Sequence, residues 1–490
     1  MPRLPKLQYD RGTLTLHPPP QGKDWLDFAT WDDRIEKFRI PAYHYRRLVE
    51  TLNKAPTEFI DDSHNFTPLD LQASFSLTPY SHQLEALTAW KQGDRQGVVV
   101  LPTAAGKTYL AQLAIESTPR PTLILVPTLD LMHQWYEQLT KAFPGVEVGL
   151  LGGGSRDRTP ILVATYNSAA IHAETLGNQY ALQIFDECHH LPSDFFRVIA
   201  EYSLAPYRLG LTATPERSDG KDQDLDWLIG KIVYGQTPDQ LSGKALAKFQ
   251  NIQISIELTE LEQKAYEQAI ATRNQFLRDN HISLGSLQGW QYFVAASYRS
   301  PEGRRAMLAH RQSKDIAAGT TGKLRTLSEL IQKHYPDKIL IFTNDNATVY
   351  RISQDFLIPA LTHQTPVKER HQILENFRHG QYHVLVTSHV LNEGVDVPAA
   401  KVAIILSGTG SSREYIQRLG RILRKGNSQN KLAILYELVA KNTNEEHTSQ
   451  RRRSPSQRST KPIKKITPVD FSNRAAETKK PWNTSDTEDF

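Results

Sequence analysis

Two series of short apolar runs constrain this chain most, each run rich in β-branched residues and followed by a polar or glycine-bearing break and a helical pattern. The first series is Gly97 to Leu101, Leu123 to Val126, Ile161 to Thr165, Gln183 to Phe185 with Asp186 next, and Arg208 to Thr212. The second is Lys338 to Thr343, Val384 to Thr387, Val402 to Leu406 and Lys431 to Tyr436. Strands covered on both faces read this way, as near-continuous apolar stretches without alternation. Strand and helix alternating in two blocks predict an α/β protein with two doubly wound parallel sheets. A length of 490 residues asks for more than one core in any case.

Between the blocks, Thr259 to Thr321 is rich in Glu, Gln, Arg and Ala, with Leu261, Ala265, Tyr266, Ala269 and Ile270 at helical spacing. The expected layout is a small N-terminal unit over 1–75, a first sheet domain over 76–245 and a helical insert over 246–321. A second sheet domain over 322–440 and a disordered basic and acidic tail over 441–490 complete it. The fold of the N-terminal unit is not legible. Lys and Arg outnumber Asp and Glu by 58 to 53, a mild bias that suits a polyanion but is common among metabolic enzymes. The single cysteine, Cys188, excludes an intrachain disulfide framework and is compatible with a reducing compartment. No apolar run approaches the roughly 20 residues needed to span a bilayer. The N-terminus lacks the apolar core of a signal peptide, so a cytoplasmic protein without membrane contact is expected.

Leu101-Pro102-Thr103-Ala104-Ala105-Gly106-Lys107-Thr108 follows an apolar strand and opens a helical run, the setting of a loop whose backbone N–H groups cradle phosphates. Lys107 would neutralise the outer phosphates and the Thr108 hydroxyl would hold Mg²⁺. Leu101 replaces the first glycine of the strict pattern, so a plain strand-to-helix turn stays a rival reading of this loop alone. Asp186 and Glu187 stand at the carboxyl end of a strand, where ligands of open α/β sheets gather. Asp186 would hold Mg²⁺ through water, and Glu187 would orient or deprotonate the attacking water. The rival reading is zinc on Asp186, Cys188, His189 and His190, but side chains alternating along an extended segment converge poorly on a tetrahedral ion.

The loop Pro102 to Thr108, the Asp186-Glu187-Cys188-His189-His190 box and Leu211-Thr212-Ala213-Thr214-Pro215 resemble motifs I, II and III of superfamily 2 helicases, in order. Thr343 to Asn346 is similar to motif IV, Thr387 to Asp396 to motif V, and Gln417 to Arg424 to motif VI, so residues 77 to 440 are covered. The resemblance implies two RecA-like domains, ATP and Mg²⁺ as cofactors, and nucleic acid lying across both domains. It implies Arg421 and Arg424 as arginine fingers, Gln83 as the adenine-recognising glutamine, and Gly394 and Asp396 at strand and nucleotide. It also implies that His190 couples the ATP and nucleic-acid sites, that Thr212 and Thr214 link the movements of the two sheets, and that Gln417 takes part in coupling. A solvated basic helix face, a surface glutamine and a hydrogen-bonded core histidine are the structural alternatives for Arg421 with Arg424, Gln83 and His190.

Gly210 to Gly220, the box with its following Leu191-Pro192, and the insert before Lys323 look like the XPB group of DNA helicases. In that group the insert is a thumb-like element and a small N-terminal domain contacts DNA. The group has Arg-Glu-Asp where this chain has Arg217-Ser218-Asp219, a departure that removes a carboxylate from the strand-separating element. The implied function is ATP-dependent 3'-5' DNA helicase or translocase activity in DNA repair, on single-stranded or forked DNA, with a nuclease partner by analogy. A duplex translocase without strand separation, such as a restriction-type motor subunit, and an ATP-gated nucleic-acid clamp are the alternatives. RNA stays open as the polymer, because backbone-gripping motors of both kinds share these motifs.

Overall fold

The computed structural model describes residues 4–453 except 55–57, 76, 218, 286, 389–399, 409–411 and 424–430. Both apolar series form parallel sheets. The first sheet has eight strands in the order Ile232–Gly235, Gln96–Val100, Tyr207–Thr212, Leu182–Asp186, Thr122–Val126, Ile161–Thr165, Val148–Gly152, Ser155–Arg156. All neighbours run parallel except the last pair, a short hairpin. Every residue of Thr122–Val126, Ile161–Thr165 and Leu182–Asp186 is buried, because helices cover both faces. The register pairs Val100 with Thr212 and Leu211 with Asp186. Three adjacent strands therefore end level, and the loops that leave them share one rim.

The second sheet has six parallel strands in the order Lys248–Ile256, Leu432–Ala440, Val402–Ile405, Ile339–Phe342, Val384–Thr387, Ala360–Leu361. Its outer strand corrects the sequence reading, which placed residues from 246 onward in the insert. Among the described residues Lys248–Ile256 pairs on one side only, with Leu432–Ala440, and is half exposed. Polar Gln250, Gln253 and Ser255 therefore interrupt Phe249, Ile252, Ile254 and Ile256, and the run does not look like its buried neighbours.

The insert proper is three helices, Glu260–Asp279, Leu287–Arg299 and Pro301–Ala318. They enclose a small core of Phe276, Leu277, Phe293 and Ala306. Gly303 lets the last two helices meet, since a Cβ there would stand 2.5 Å from the Ala296 carbonyl oxygen. One carboxylate fastens both ends: Glu262 accepts from the Thr259 and Thr321 backbone N–H groups, each at 2.9 Å.

The N-terminal unit is a five-stranded sheet in the order Thr30–Asp32, Lys37–Pro41, Thr13–His17, Lys6–Asp10, Ile60–Asp62, covered by helix Tyr45–Lys54. Leu204 of the first sheet domain is part of its core, beside Leu7, Leu14, Leu16, Ile40 and Leu48. The Tyr9 hydroxyl donates to the Tyr202 carbonyl at 2.9 Å, Asn65 N–H donates to the Asn178 carbonyl at 2.9 Å, and Arg46 donates to the Pro206 carbonyl at 3.2 Å.

The tail read as disordered from residue 441 begins instead with helix Asn444–Arg453. The fully buried ammonium of Lys323 donates to the Leu406 carbonyl at 2.7 Å and to Glu445 at 2.6 Å, and the Asn444 N–H donates to the Tyr266 hydroxyl at 2.9 Å. A helix polar on every side is ordered here by partners distant in sequence, which composition does not reveal. Among the described residues no helix is long and apolar enough to cross a membrane.

Candidate ATP site at the junction of two sheets

Strand Gln96–Val100 runs into the loop Leu101 to Gly106, and helix Lys107–Glu116 starts at its end. Gly106 caps the helix at φ 80°, and a Cβ there would stand 2.3 Å from Gln83 Nε2. Ala104 also holds a positive φ of 70°, a conformation a non-glycine residue adopts only when its surroundings enforce it. The enforcement is visible: His82 Nε2 donates to the Ala105 carbonyl at 2.9 Å, and Gln83 Nε2 donates to the Gly106 carbonyl at 3.1 Å. Gln83 Oε1 accepts from Tyr80 N–H at 2.9 Å, so this glutamine, nearly fully buried, braces the loop with both ends of its amide. His82 escaped the sequence reading; it lies next to Gln83 at the start of helix Ser81–Gln92.

Lys107 Nζ donates to the Leu101 carbonyl at 3.3 Å and stands 3.8 Å from Glu187 Oε1. Among the described residues, Glu187 Oε2 and the Thr103 hydroxyl are buried without a hydrogen-bond partner, and Oε2 stands 3.6 Å from His189 Nδ1. Asp186 is buried at the end of its strand. Its Oδ1 accepts from Glu187 N–H at 3.0 Å and its Oδ2 accepts from the Trp135 indole N–H at 2.8 Å. Burial and the adjacent Glu187 push the Asp186 carboxyl up to about 6, against the opposing pull of Lys107 and Trp135.

The chain turns at Glu187, φ 48°, into a single 3₁₀ turn, Cys188–His190, so the segment is not extended as the sequence suggested. The turn sends His189 toward the strand Tyr207–Thr212, where its Nδ1 lies 3.1 Å from Thr212 Oγ1. Thr212 Oγ1 also donates to the Thr214 carbonyl at 3.0 Å and accepts from Thr214 N–H at 3.2 Å. The histidine at the motif III strand is therefore His189. His190, the expected coupling residue, faces the Tyr166 ring at 6.1 Å. The Cys188 side chain packs into the apolar layer of Phe185, Leu191 and Ile199, where burial pushes its thiol up. Arg217 holds Asp219 through two hydrogen bonds of 2.9 and 2.7 Å and donates to the His189 carbonyl, which ties this element to the motif II turn.

The second domain reaches the site through helix Ser412–Ile422. Gly420 lies directly on the phosphate loop: a Cβ there would stand 2.3 Å from Thr103 Cβ. Gln417 is buried in the same helix. A second bridge joins Arg370 of helix Val367–Arg378 to Asp130 of helix Leu129–Ala142 at 3.6 Å. Ser218, Gly394, Asp396, Arg424 and the Arg421 side chain lie outside the described residues.

Family models match in the same order as these parts. That of the type III restriction enzyme res subunit covers residues 76–217, that of the xeroderma pigmentosum group B helicase damage recognition domain residues 7–62, and that of the helicase conserved C-terminal domain residues 322–426. "DNA 3'-5' translocase XPB2" of Sulfurisphaera tokodaii is 40% identical over 424 residues, 86% of this chain and 95% of that protein. This chain belongs to the XPB family. A longer XPB relative, "DNA 3'-5' helicase XPB" of Kineococcus radiotolerans, is 30% identical over 76% of this chain, which spans 61% of that protein. The Hef helicase domain of Pyrococcus furiosus shares the fold, with a TM-score of 0.54 at 20% identity over 77% of this chain and 98% of that chain.

The family's nucleotide fits these residues. A glycine-capped helix start, a lysine resting on its own loop, a buried hydroxyl and a buried carboxylate oxygen that, among the described residues, accept no hydrogen bond together suit phosphates and a hydrated divalent cation.

Proposed function

We propose that this chain is an ATP-driven 3'-5' motor on DNA, serving repair, in which ATP turnover closes and opens two RecA-like domains. The contact between Gly420 and Thr103 carries this reading, because it seats the motif VI helix of the second sheet on the phosphate loop of the first. ATP supplies the phosphoanhydride, and Mg²⁺ neutralises charge on it. Lys107 would leave the Leu101 carbonyl to hold the outer phosphates, and Thr108 and Asp186 would hold the cation. Glu187, whose Oε2 lies 3.6 Å from His189 Nδ1, would orient the attacking water and accept its proton. Arg421 and Arg424 would stabilise the transition-state charge from the other side of the junction. His189, Thr212 and Thr214 form the chain of contacts by which the site would report to motif III.

Translocation is favoured over strand separation by one observation: Ser218 replaces the carboxylate in Arg217-Ser218-Asp219. DNA would lie across both domains, gripped through its phosphates, with the N-terminal unit adding contacts; a separate nuclease would complete the repair reaction.

The test is ATP turnover without nucleic acid and with single-stranded, duplex and forked DNA and RNA, beside triplex-displacement and unwinding assays. Stimulation by DNA with triplex displacement is expected, and Lys107→Ala should abolish turnover. RNA-specific stimulation would replace DNA as the polymer. Turnover independent of strand length would leave an ATP-gated clamp instead.

A further inference from the structure

Asp186 is held by a group that no nucleotide motif contains. Trp135 sits in the middle of helix Leu129–Ala142, its side chain 1% exposed, and donates its indole N–H to Asp186 Oδ2 at 2.8 Å. The other carboxylate oxygen accepts from Glu187 N–H at 3.0 Å, and the Asp186 carbonyl accepts from the Tyr166 hydroxyl at 3.0 Å. Each oxygen of this carboxylate thus carries one fixed protein donor, and its plane cannot turn without breaking a bond.

We infer that Trp135 is a positioning residue of the metal site: its indole N–H fixes the rotation of the Asp186 carboxylate so that one edge stays directed at the hydrated cation beside the phosphate loop. The inference rests on the ATPase reading above. Without the indole, Oδ2 would be a buried anionic oxygen lacking a donor, with water excluded by the packing that buries Trp135 itself. Glu187, 3.8 Å from Lys107, competes for the same cationic side chain, so a loosened Asp186 carboxylate has an attractive alternative in Lys107. The indole prevents that rearrangement. Partners of this kind to metal ligands contribute about 10- to 100-fold to metal affinity when they are removed.

Trp135→Phe deletes the N–H and keeps a ring in the cavity. The measurement is the affinity of a fluorescent ADP analogue with excess Mg²⁺ and with EDTA, together with the Mg²⁺ midpoint of ATP turnover and a thermal melt. The expected result is a loss of about tenfold in the Mg²⁺-dependent gain of affinity and a raised Mg²⁺ midpoint, with affinity in EDTA unchanged. Tyr166→Phe, which removes a neighbouring buried hydroxyl without touching the carboxylate oxygens, should leave the Mg²⁺ dependence at the wild-type value. A Trp135→Phe protein with a lower melting temperature but a wild-type Mg²⁺ dependence overturns the inference and makes Trp135 a packing residue. If the wild-type protein neither binds the analogue nor turns over ATP, the ATPase reading fails first, which is a separate outcome.

Discussion

The two motor domains treat their site-facing residues differently. In the first, the polar groups at the strand ends find partners within the same domain: Lys107 on the Leu101 carbonyl, Gln83 on the Gly106 carbonyl, Asp186 on Trp135 and His189 on Thr212. In the second, the described contacts with the junction are steric or loosely charged: Gly420 over Thr103 and Arg370 near Asp130. Among the described residues, the first sheet carries a site whose polar groups hold one another, and the second brings shape; under the proposed function, motif VI would add charge. A motor gains from that division. A prebuilt half binds nucleotide in any state of the cleft, and a half that only fits when closed makes catalysis conditional on closure.

The most direct way to break this comparison is Arg421→Ala. If the second domain supplies transition-state charge, turnover should fall about a hundredfold or more while nucleotide affinity stays near wild type. A comparable fall in affinity would place the residue in the binding half instead. Gly420→Ala tests shape alone. Its Cβ has no room against Thr103, so the sheets should close incompletely and DNA-stimulated turnover should drop about tenfold at unchanged melting temperature. The Arg370–Asp130 pair is partly exposed and screened by solvent, so Arg370→Gln should lower turnover only about twofold, and less at high salt.

A smaller effect sharpens the picture of the prebuilt half. Burial and the adjacent Glu187 disfavour the Asp186 anion and hold its carboxyl above the usual carboxylate range. A bound cation favours that anion and lowers the value. Binding of Mg·ADP should then release more protons at pH 6 than at pH 8, where the carboxylate is already ionised. Calorimetry in buffers of differing ionisation enthalpy measures it, and equal proton release at both pH values would remove Asp186 as the source.

The parallel sheets were legible because strands buried on both faces leave unbroken apolar runs, and the phosphate loop because strand, loop and helix follow one another directly. Three features were not legible, each for a physical reason. Lys248–Ile256 is an edge strand whose exposed face is polar, so it resembled the insert that follows it. Helix Asn444–Arg453 depends on Lys323, 122 positions away from Glu445, for its anchor. The Trp135–Asp186 bond spans 51 positions between a helix interior and a strand end, a distance that no local pattern encodes. Motif spacing placed the box but not which histidine meets motif III; the left-handed turn at Glu187 decides that His189 meets Thr212.

Leu204 gives the N-terminal unit a different standing from an appended module. A motor-domain side chain completes that unit's interior, so the two share part of one apolar core. Grafted onto another motor, the unit would arrive with an open socket, and removed from this one it would leave an apolar plug in water.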